Sequence, residues 1–198
     1  MSKLLPTRPQ FRALILALPA AALALVFAAP AGAATIAPTG VTAEIDMKFE
    51  KGKIFFEGPK TITQGDTLKI VNDTNPKQIG PHTFSLVTKG SLPKTKDARK
   101  NCFTPKHICL SIAEWHKFNP KTEKIGLDPV KAGPAGWSTM GSNSKTGDSW
   151  FTEKKAESFE QQVTAAPGTL YYLCAVHSFM QGQVKVVAPT TTLPAPTP

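Results

Sequence analysis

Short stretches in which apolar and polar residues alternate recur along the chain, separated by turns rich in glycine and proline. One runs from Val41 to Glu50, a second from Lys53 to Glu57, and a third follows the turn at Gly65 and Asp66. A period of two places successive side chains on opposite faces of a β-strand. These stretches therefore predict strands with one buried and one exposed face.

The succession of short predicted strands indicates an all-β fold. No long helical pattern interrupts them, and turns follow one another closely, which is typical of an antiparallel β-sandwich. We expect this domain to cover residues 35–188, with an insertion at about residues 90–147 that is rich in Lys, Pro, Gly, Ser and Asn.

Both ends of the chain differ from this pattern. Residues 1–34 combine basic residues, an apolar run over Ala13–Ala29 and small residues around Ala33, which predicts a cleaved export signal. An uncleaved anchor is the alternative. Residues 189–198 form a Pro/Thr-rich tail, which we expect to be disordered. We therefore expect the mature protein to be periplasmic, in the cell envelope or extracellular, without an integral membrane segment.

The chain is basic, with a formal net charge of +9. Removing the predicted signal deletes Lys3, Arg8 and Arg12, so the charge becomes 9 − 3 = +6. A positive charge favours acidic protein partners through long-range attraction. We expect no nucleic-acid binding, because the lysines are spread along the chain and form no aromatic-interleaved groove. We also expect a monomer.

Candidate metal ligands lie near the C-terminus, where Cys174, His177 and Met180 follow a predicted strand within seven residues. His82, which follows Pro81 on an earlier strand, supplies a second imidazole. One thiolate, two imidazoles and a weak axial thioether are the donors of a blue-copper site. A Greek-key sandwich would bring the two segments together. Alternatively, Cys174 is a buried thiol that fills the core.

With these residues in view, the chain resembles the cupredoxins, the blue-copper family that includes plastocyanin and amicyanin. The spacing of the last three ligands is similar to the short loop of amicyanin, and the likeness extends to Gly65–Asn72 and to Pro167-Gly168. It does not cover residues 90–149. The resemblance implies one copper ion per chain that cycles between Cu(I) and Cu(II).

The resemblance also implies how such a protein would meet its redox protein partners. Pro81, Val176 and Phe179 would surround an exposed edge of His177 and form a small apolar docking patch. Plastocyanin has a tyrosine immediately before its cysteine, where this chain has Leu173, so a remote electron route through that position is not expected here.

The insertion contains the other two cysteines, Cys102 and Cys109. In an exported protein such a pair predicts a disulfide, which leaves Cys174 as the lone thiolate. A second metal bound by Cys102, His107 and Cys109 is the alternative. Apolar residues at helical spacing predict a short helix over Ile108–Phe118. We expect His116, within it, to be an ordinary surface histidine.

Three kinds of function fit these observations. We expect an exported one-electron carrier with type 1 copper. A copper-binding or copper-delivery protein without a dedicated electron-transfer role is the alternative, and a copper-free interaction module is a weaker one. We do not expect an enzyme, because four protein ligands leave no open metal position for a substrate.

Overall fold

The computed structural model describes residues 36–119, 121–122 and 136–190. The predicted export signal and the tail from residue 191 lie outside these ranges. Within them, nine strands and three short α-helices are present, with the following bounds: β1 Thr42–Glu50, β2 Lys53–Glu57, β3 Thr61–Thr63, β4 Thr67–Asn72, α1 Pro76–Ile79, β5 His82–Val87, α2 Lys96–Lys100, α3 Ile108–Trp115, β6 Ser149–Thr152, β7 Ser158–Gln162, β8 Gly168–Leu173 and β9 Gln181–Val187.

The strands form two sheets that share one core. The first sheet has the order β2-β1-β4-β7, and the second has the order β3-β9-β8-β5-β6. Two pairs, β1 with β4 and β3 with β9, are parallel, whereas the other pairs are antiparallel. The expected antiparallel sandwich therefore also contains two parallel pairs. The chain crosses to the second sheet for β3 before it returns beside β1, so β4 runs parallel to β1.

The hairpin between β1 and β2 shows how local sequence determines this arrangement. Lys51 and Gly52 form the two-residue turn, with φ angles of 51° and 75°. Positive φ at both positions matches the twist of the flanking strands. Glycine takes up this conformation without strain. The turn sets the register of the pair, in which Phe49 faces Ile54.

The space between the sheets is filled by the apolar faces that the alternation predicts. Ile45 and Met47 of β1 are fully buried there, as are Leu68 and Ile70 of β4. Three aromatic rings lie at the centre, where the Phe84 ring is 4.7 Å from that of Tyr172 and 5.3 Å from that of Trp137.

The alternation of the strands does not reveal the position of Trp137. This residue follows the part of the insertion that lies outside the described ranges, yet its side chain is fully buried in the main core. Its indole N–H donates a hydrogen bond to the carbonyl of Leu68 at 3.3 Å. An isolated bridge pairs its backbone with Val163. The end of the insertion is therefore part of the sandwich.

The described first part of the insertion packs on the outer face of the second sheet. Residues of the insertion and of the sheet form a second apolar cluster, separate from the main core, whose buried members are Val87, Cys102, Ile108, Cys109, Ile112, Leu173 and Ala175. Every residue of β5 is buried as a result, because the main core covers one face of the strand and the insertion covers the other.

Several expectations for the insertion can be compared directly with the structure. Cys102 and Cys109 form the predicted disulfide, so they are not ligands of a second metal. The predicted helix is present as α3. His116 at the end of α3 is only 1% exposed, however, so the expectation of a surface histidine is wrong. Its ring faces β6, because α3 lies against the sheet.

The structure confirms the predicted class, an all-β Greek-key sandwich with a disulfide-containing insertion that holds a short helix. None of the helices in the described ranges is long and apolar enough to cross a membrane.

Candidate metal centre

The candidate ligands come from two neighbouring strands of the second sheet. His82 is the first residue of β5, and Cys174 follows the last residue of β8. His177 and Met180 lie in the turn that connects β8 to β9. Because β5 and β8 pair side by side, with Ser85 opposite Leu173, the start of one strand lies next to the end of the other.

Three of these side chains converge on one point. The ligand atoms of His82, Cys174 and His177 all lie within 4.8 Å of one another. The Cys174 sulfur is 3.7 Å from Nδ1 of His82 and 3.6 Å from Nδ1 of His177. The three atoms are therefore close enough together to hold one metal ion between them.

Backbone hydrogen bonds close the turn at residues 174–180, here called the ligand turn, which carries three of the candidate ligands. The N–H of Cys174 donates to the carbonyl of Met180 at 2.9 Å, and the N–H of Met180 donates to the carbonyl of His177 at 2.7 Å. The sulfur, the imidazole and the thioether are therefore attached to one compact backbone unit. Met180 is 1% exposed and packs in the same core cluster as Cys174.

The hydrogen bond of His177 determines its tautomer. Its Nε2 lies 2.9 Å from the backbone carbonyl of Ile79. A carbonyl only accepts, so Nε2 must carry the proton, and Nδ1 keeps a free lone pair directed toward Cys174. The expected exposed edge of His177 is thus occupied by the end of α1, and the side chain is half-buried.

His82 is fully buried. Among the described residues its Nε2 has no hydrogen-bond partner. Burial, together with the nearby His177, lowers the pKa of His82 to about 4. The imidazole is therefore neutral at physiological pH, which is the form that binds a metal.

Cys174 is held in a buried site that also offers hydrogen bonds to its sulfur. Burial raises the pKa of the thiol, while hydrogen bonds from the Thr83 backbone and hydroxyl lower it. The Thr83 N–H lies 3.4 Å from the sulfur. A positively charged metal would supply the missing stabilisation of the thiolate, because a coordinating thiol loses its proton.

The insertion braces the ligand turn from outside. The Ser178 hydroxyl donates to the carbonyl of Arg99 at 3.3 Å, and the side-chain amide of Gln181 donates to the carbonyl of Pro93 at 3.0 Å. Leu173, immediately before Cys174, is buried in the second apolar cluster, which the insertion forms with the sheet and which is here called the insertion cluster. This position therefore faces the insertion and not a partner protein.

The residues of the predicted docking patch lie around this centre with unequal exposure. Phe179 is 54% exposed, and its ring is 6.0 Å from that of His177. Pro81 and Val176 are partly exposed. Thr83 is a site residue that sequence reasoning missed. Its position directly after His82 was the available clue, but nothing in the sequence connects it to Cys174.

The donor set fits copper. One thiolate and two imidazoles are soft and borderline ligands, which copper accepts readily and which calcium or magnesium do not favour. The cluster of His82, Cys174 and His177 could therefore hold a copper ion, as the sequence predicts.

Comparisons with protein-family models and with curated proteins find no match. Among solved structures, a reduced auracyanin from Roseiflexus castenholzii is similar, with 17% identity over 79% of this chain and 99% of that chain and a TM-score of 0.38. Auracyanin A from Chloroflexus aurantiacus, described as a "blue" copper protein, has 20% identity over 74% and 98% of the two chains and a TM-score of 0.39. A mutant of amicyanin with Cu(I) has 16% identity over 77% of this chain and 86% of that chain, and a TM-score of 0.33.

Proposed function

We propose that this protein is an exported one-electron carrier that holds a single type 1 copper ion between His82, Cys174 and His177, with Met180 as axial ligand. The observation that carries the proposal is the convergence of a buried thiol and two imidazoles within 4.8 Å at the end of a β-sandwich. Bound copper would supply the chemistry, a one-electron change between Cu(II) and Cu(I).

The role of Met180 is supported by its place in the turn. It is the last residue of the backbone unit closed by Cys174 and His177, and its side chain is buried in the same core cluster as Cys174. A buried thioether near a thiolate and two imidazoles is the usual weak fourth donor of a blue-copper site.

A carrier role is supported by the rigidity of the centre. His82 belongs to a strand that is buried on both faces, and the ligand turn is fixed by its own backbone hydrogen bonds and by the insertion. Ligands that cannot rearrange suit a metal that changes its charge without changing its coordination. Four protein donors also leave no position for a substrate, so we propose a carrier and not an enzyme.

We infer that the partners are redox proteins with acidic surfaces, which meet the protein at Pro81, Val176 and Phe179. Six basic and only two acidic residues lie between positions 90 and 119, in the part of the insertion that contacts the ligand turn. Opposite charges accelerate the encounter of two proteins, and small apolar patches are common in short-lived redox complexes.

The proposal is tested by adding one equivalent of Cu(II) to the protein without its first 34 residues and recording visible absorption and electron paramagnetic resonance spectra. We expect an intense visible band and narrow copper hyperfine splitting, which indicate a thiolate ligand. The Cys174→Ala variant should lose the band, whereas His107→Ala, in the insertion, should keep it. A wild-type protein that stays colourless would overturn the proposal.

A second measurement separates the carrier from a copper-delivery protein. The Cu(I) form is mixed with a strong chelator, and copper loss is followed over time. Because the donors are buried and braced, we expect copper to stay bound while electrons exchange rapidly with a soluble oxidant. Rapid loss of copper to the chelator would favour delivery.

A further inference from the structure

A chain of buried hydrogen bonds connects the insertion to the candidate copper centre. Nε2 of His116 is 2.8 Å from the Ser149 hydroxyl, which is 2.7 Å from the Ser85 hydroxyl. The Ser85 hydroxyl donates to the Thr83 hydroxyl at 3.0 Å. All four side chains are at most 3% exposed. They follow the outer face of β5 and β6, which α3 covers.

The far end of the chain lies at the thiolate. The Thr83 hydroxyl accepts the N–H of Ala175 at 2.8 Å, and it is one of the groups that lower the pKa of the Cys174 thiol. The N–H of Thr83 itself lies 3.4 Å from that sulfur. Thr83 therefore contacts both Cys174 and the residue after it.

The chain has a direction because each hydroxyl group has one hydrogen atom. Ser85 uses its hydrogen for Thr83, so Ser149 must donate to Ser85. The hydrogen of Ser149 is then used, and Nε2 of His116 must be the donor to Ser149. All donors thus point from the insertion toward Thr83, whose hydroxyl accepts from both Ser85 and Ala175 and whose N–H lies against the Cys174 sulfur.

We propose that His116 is a positioning residue for the copper centre, which acts on the Cys174 thiolate through Ser149, Ser85 and Thr83. This inference rests on the proposed function. It gives the insertion a role beyond the bracing of the ligand turn, because the insertion supplies the first donor of the chain.

The expected effect follows from the polarity of the chain. Successive hydrogen bonds polarise one another, so a donor at the start strengthens the last bond. Hydrogen bonds to the cysteine sulfur are one of the features that tune a blue-copper potential. They favour the reduced centre, in which the thiolate donates less electron density to the metal. Without His116 the hydroxyls can reverse, and the reduction potential should fall.

The test compares His116→Leu with His116→Gln in the copper-loaded protein. Leucine removes the donor, whereas the glutamine amide can still donate to Ser149. We expect His116→Leu to lower the reduction potential and to shift the visible band, and His116→Gln to restore both values toward wild type. His107→Leu, at the other end of α3 and outside the chain, is the matched control and should change neither.

A second variant keeps the test independent of any folding defect in His116→Leu. Ser149→Ala interrupts the hydrogen-bond chain in its middle and should shift the reduction potential in the same direction. Because both residues act through one chain, the double variant should shift it no further than the larger single shift. Additive shifts, or potentials equal to wild type in folded variants, would overturn the proposal.

The metal-free protein separates this proposal from the proposed function. Nuclear magnetic resonance should show His116→Leu moving the Thr83 and Ala175 amide signals, which His107→Leu leaves in place. Unmoved signals overturn the chain as a physical link, even if the wild-type protein forms a blue site. If these signals move but the wild-type protein binds no copper, the link exists and the role at a copper centre is overturned together with the proposed function.

Discussion

The backbone N–H of Thr83 points at the sulfur of Cys174, 3.4 Å away, although the two residues are 91 positions apart in the chain. In return, the N–H of Ala175 donates to the Thr83 hydroxyl at 2.8 Å. These two bonds connect β5 to the residues that follow β8. They join the backbone next to His82 to the backbone that carries Cys174, so both ligands are positioned before any metal binds.

Replacing Thr83 with valine should destabilise the metal-free protein by about 1–3 kcal/mol, because the buried Ala175 N–H and Ser85 hydroxyl lose a partner while the side-chain volume stays similar. The measurement is urea unfolding at neutral pH. Thr83→Ser keeps the hydroxyl and should be closer to wild type. A valine variant as stable as wild type would show that water replaces the hydroxyl at no cost.

The stability of the metal-free protein should fall in acid because His82 is buried. Its pKa is lowered from an ordinary value of 6.5 to about 4 in the folded state. The unfolded state therefore binds a proton first as the pH falls. The contribution of His82 is fully present above pH 6.5 and is lost progressively as the pH falls toward 4.

We expect this loss to be on the order of 2 kcal/mol after solvent screening. Burial also lowers the pKa of His177, which adds to the loss in the same direction. Urea midpoints measured from pH 7.5 to about pH 4.5 would test this, since the unfolded imidazole titrates within that range. His82→Gln removes the titrating group and should flatten the curve. An equally steep curve for that variant would assign the acid sensitivity to other groups.

The strands and the ligand set could be predicted because both have short-range patterns. The alternation in β1 indicates one buried face, and the spacing of Cys174, His177 and Met180 indicates a turn that carries metal ligands. The parallel pairing of β1 with β4 could not be predicted, since it depends on β3 crossing to the other sheet. The burial of His116 could not be predicted either.

That second failure has a specific physical cause. The sequence of the helix over Ile108–Trp115 shows an apolar stripe but not which surface covers it. The sequence of β5 places apolar residues on one face and hydroxyl-bearing residues on the other. Thr83 and Ser85 look like exposed positions in the sequence. They are buried because the insertion returns over them, and their hydroxyls are satisfied by one another and by Ser149.

The disulfide should contribute measurably to stability. Removing it in the double variant Cys102→Ala, Cys109→Ala should cost about 2.5 kcal/mol by loop entropy alone, with a further loss from packing because both sulfurs lie in the insertion cluster. Urea unfolding is the measurement. Wild-type protein in a strong reductant should show the loop-entropy part of this loss.

The same double variant should also release copper faster. The disulfide closes a loop that begins three residues after Arg99, whose carbonyl accepts a hydrogen bond from the ligand turn. A looser segment braces the turn less well. Copper transfer to a chelator compares the two proteins, and equal transfer rates would mean that the turn needs no support from the insertion.

Met180 should affect the reduction potential of the bound copper but not its blue colour. We expect Met180→Leu to keep the intense visible band, because the thiolate and both imidazoles remain, and to raise the reduction potential, because a thioether lone pair stabilises Cu(II) more than Cu(I). Leucine has a similar volume, so the loss of stability in the metal-free protein should stay below about 1.5 kcal/mol.

Met47 provides the matched control for this substitution. It is also fully buried in the main core, but it lies on β1 in the other sheet. Met47→Leu should alter packing to a similar degree and leave the potential unchanged. If both variants shift the potential equally, core packing and not a thioether ligand sets it, and the axial role of Met180 is refuted.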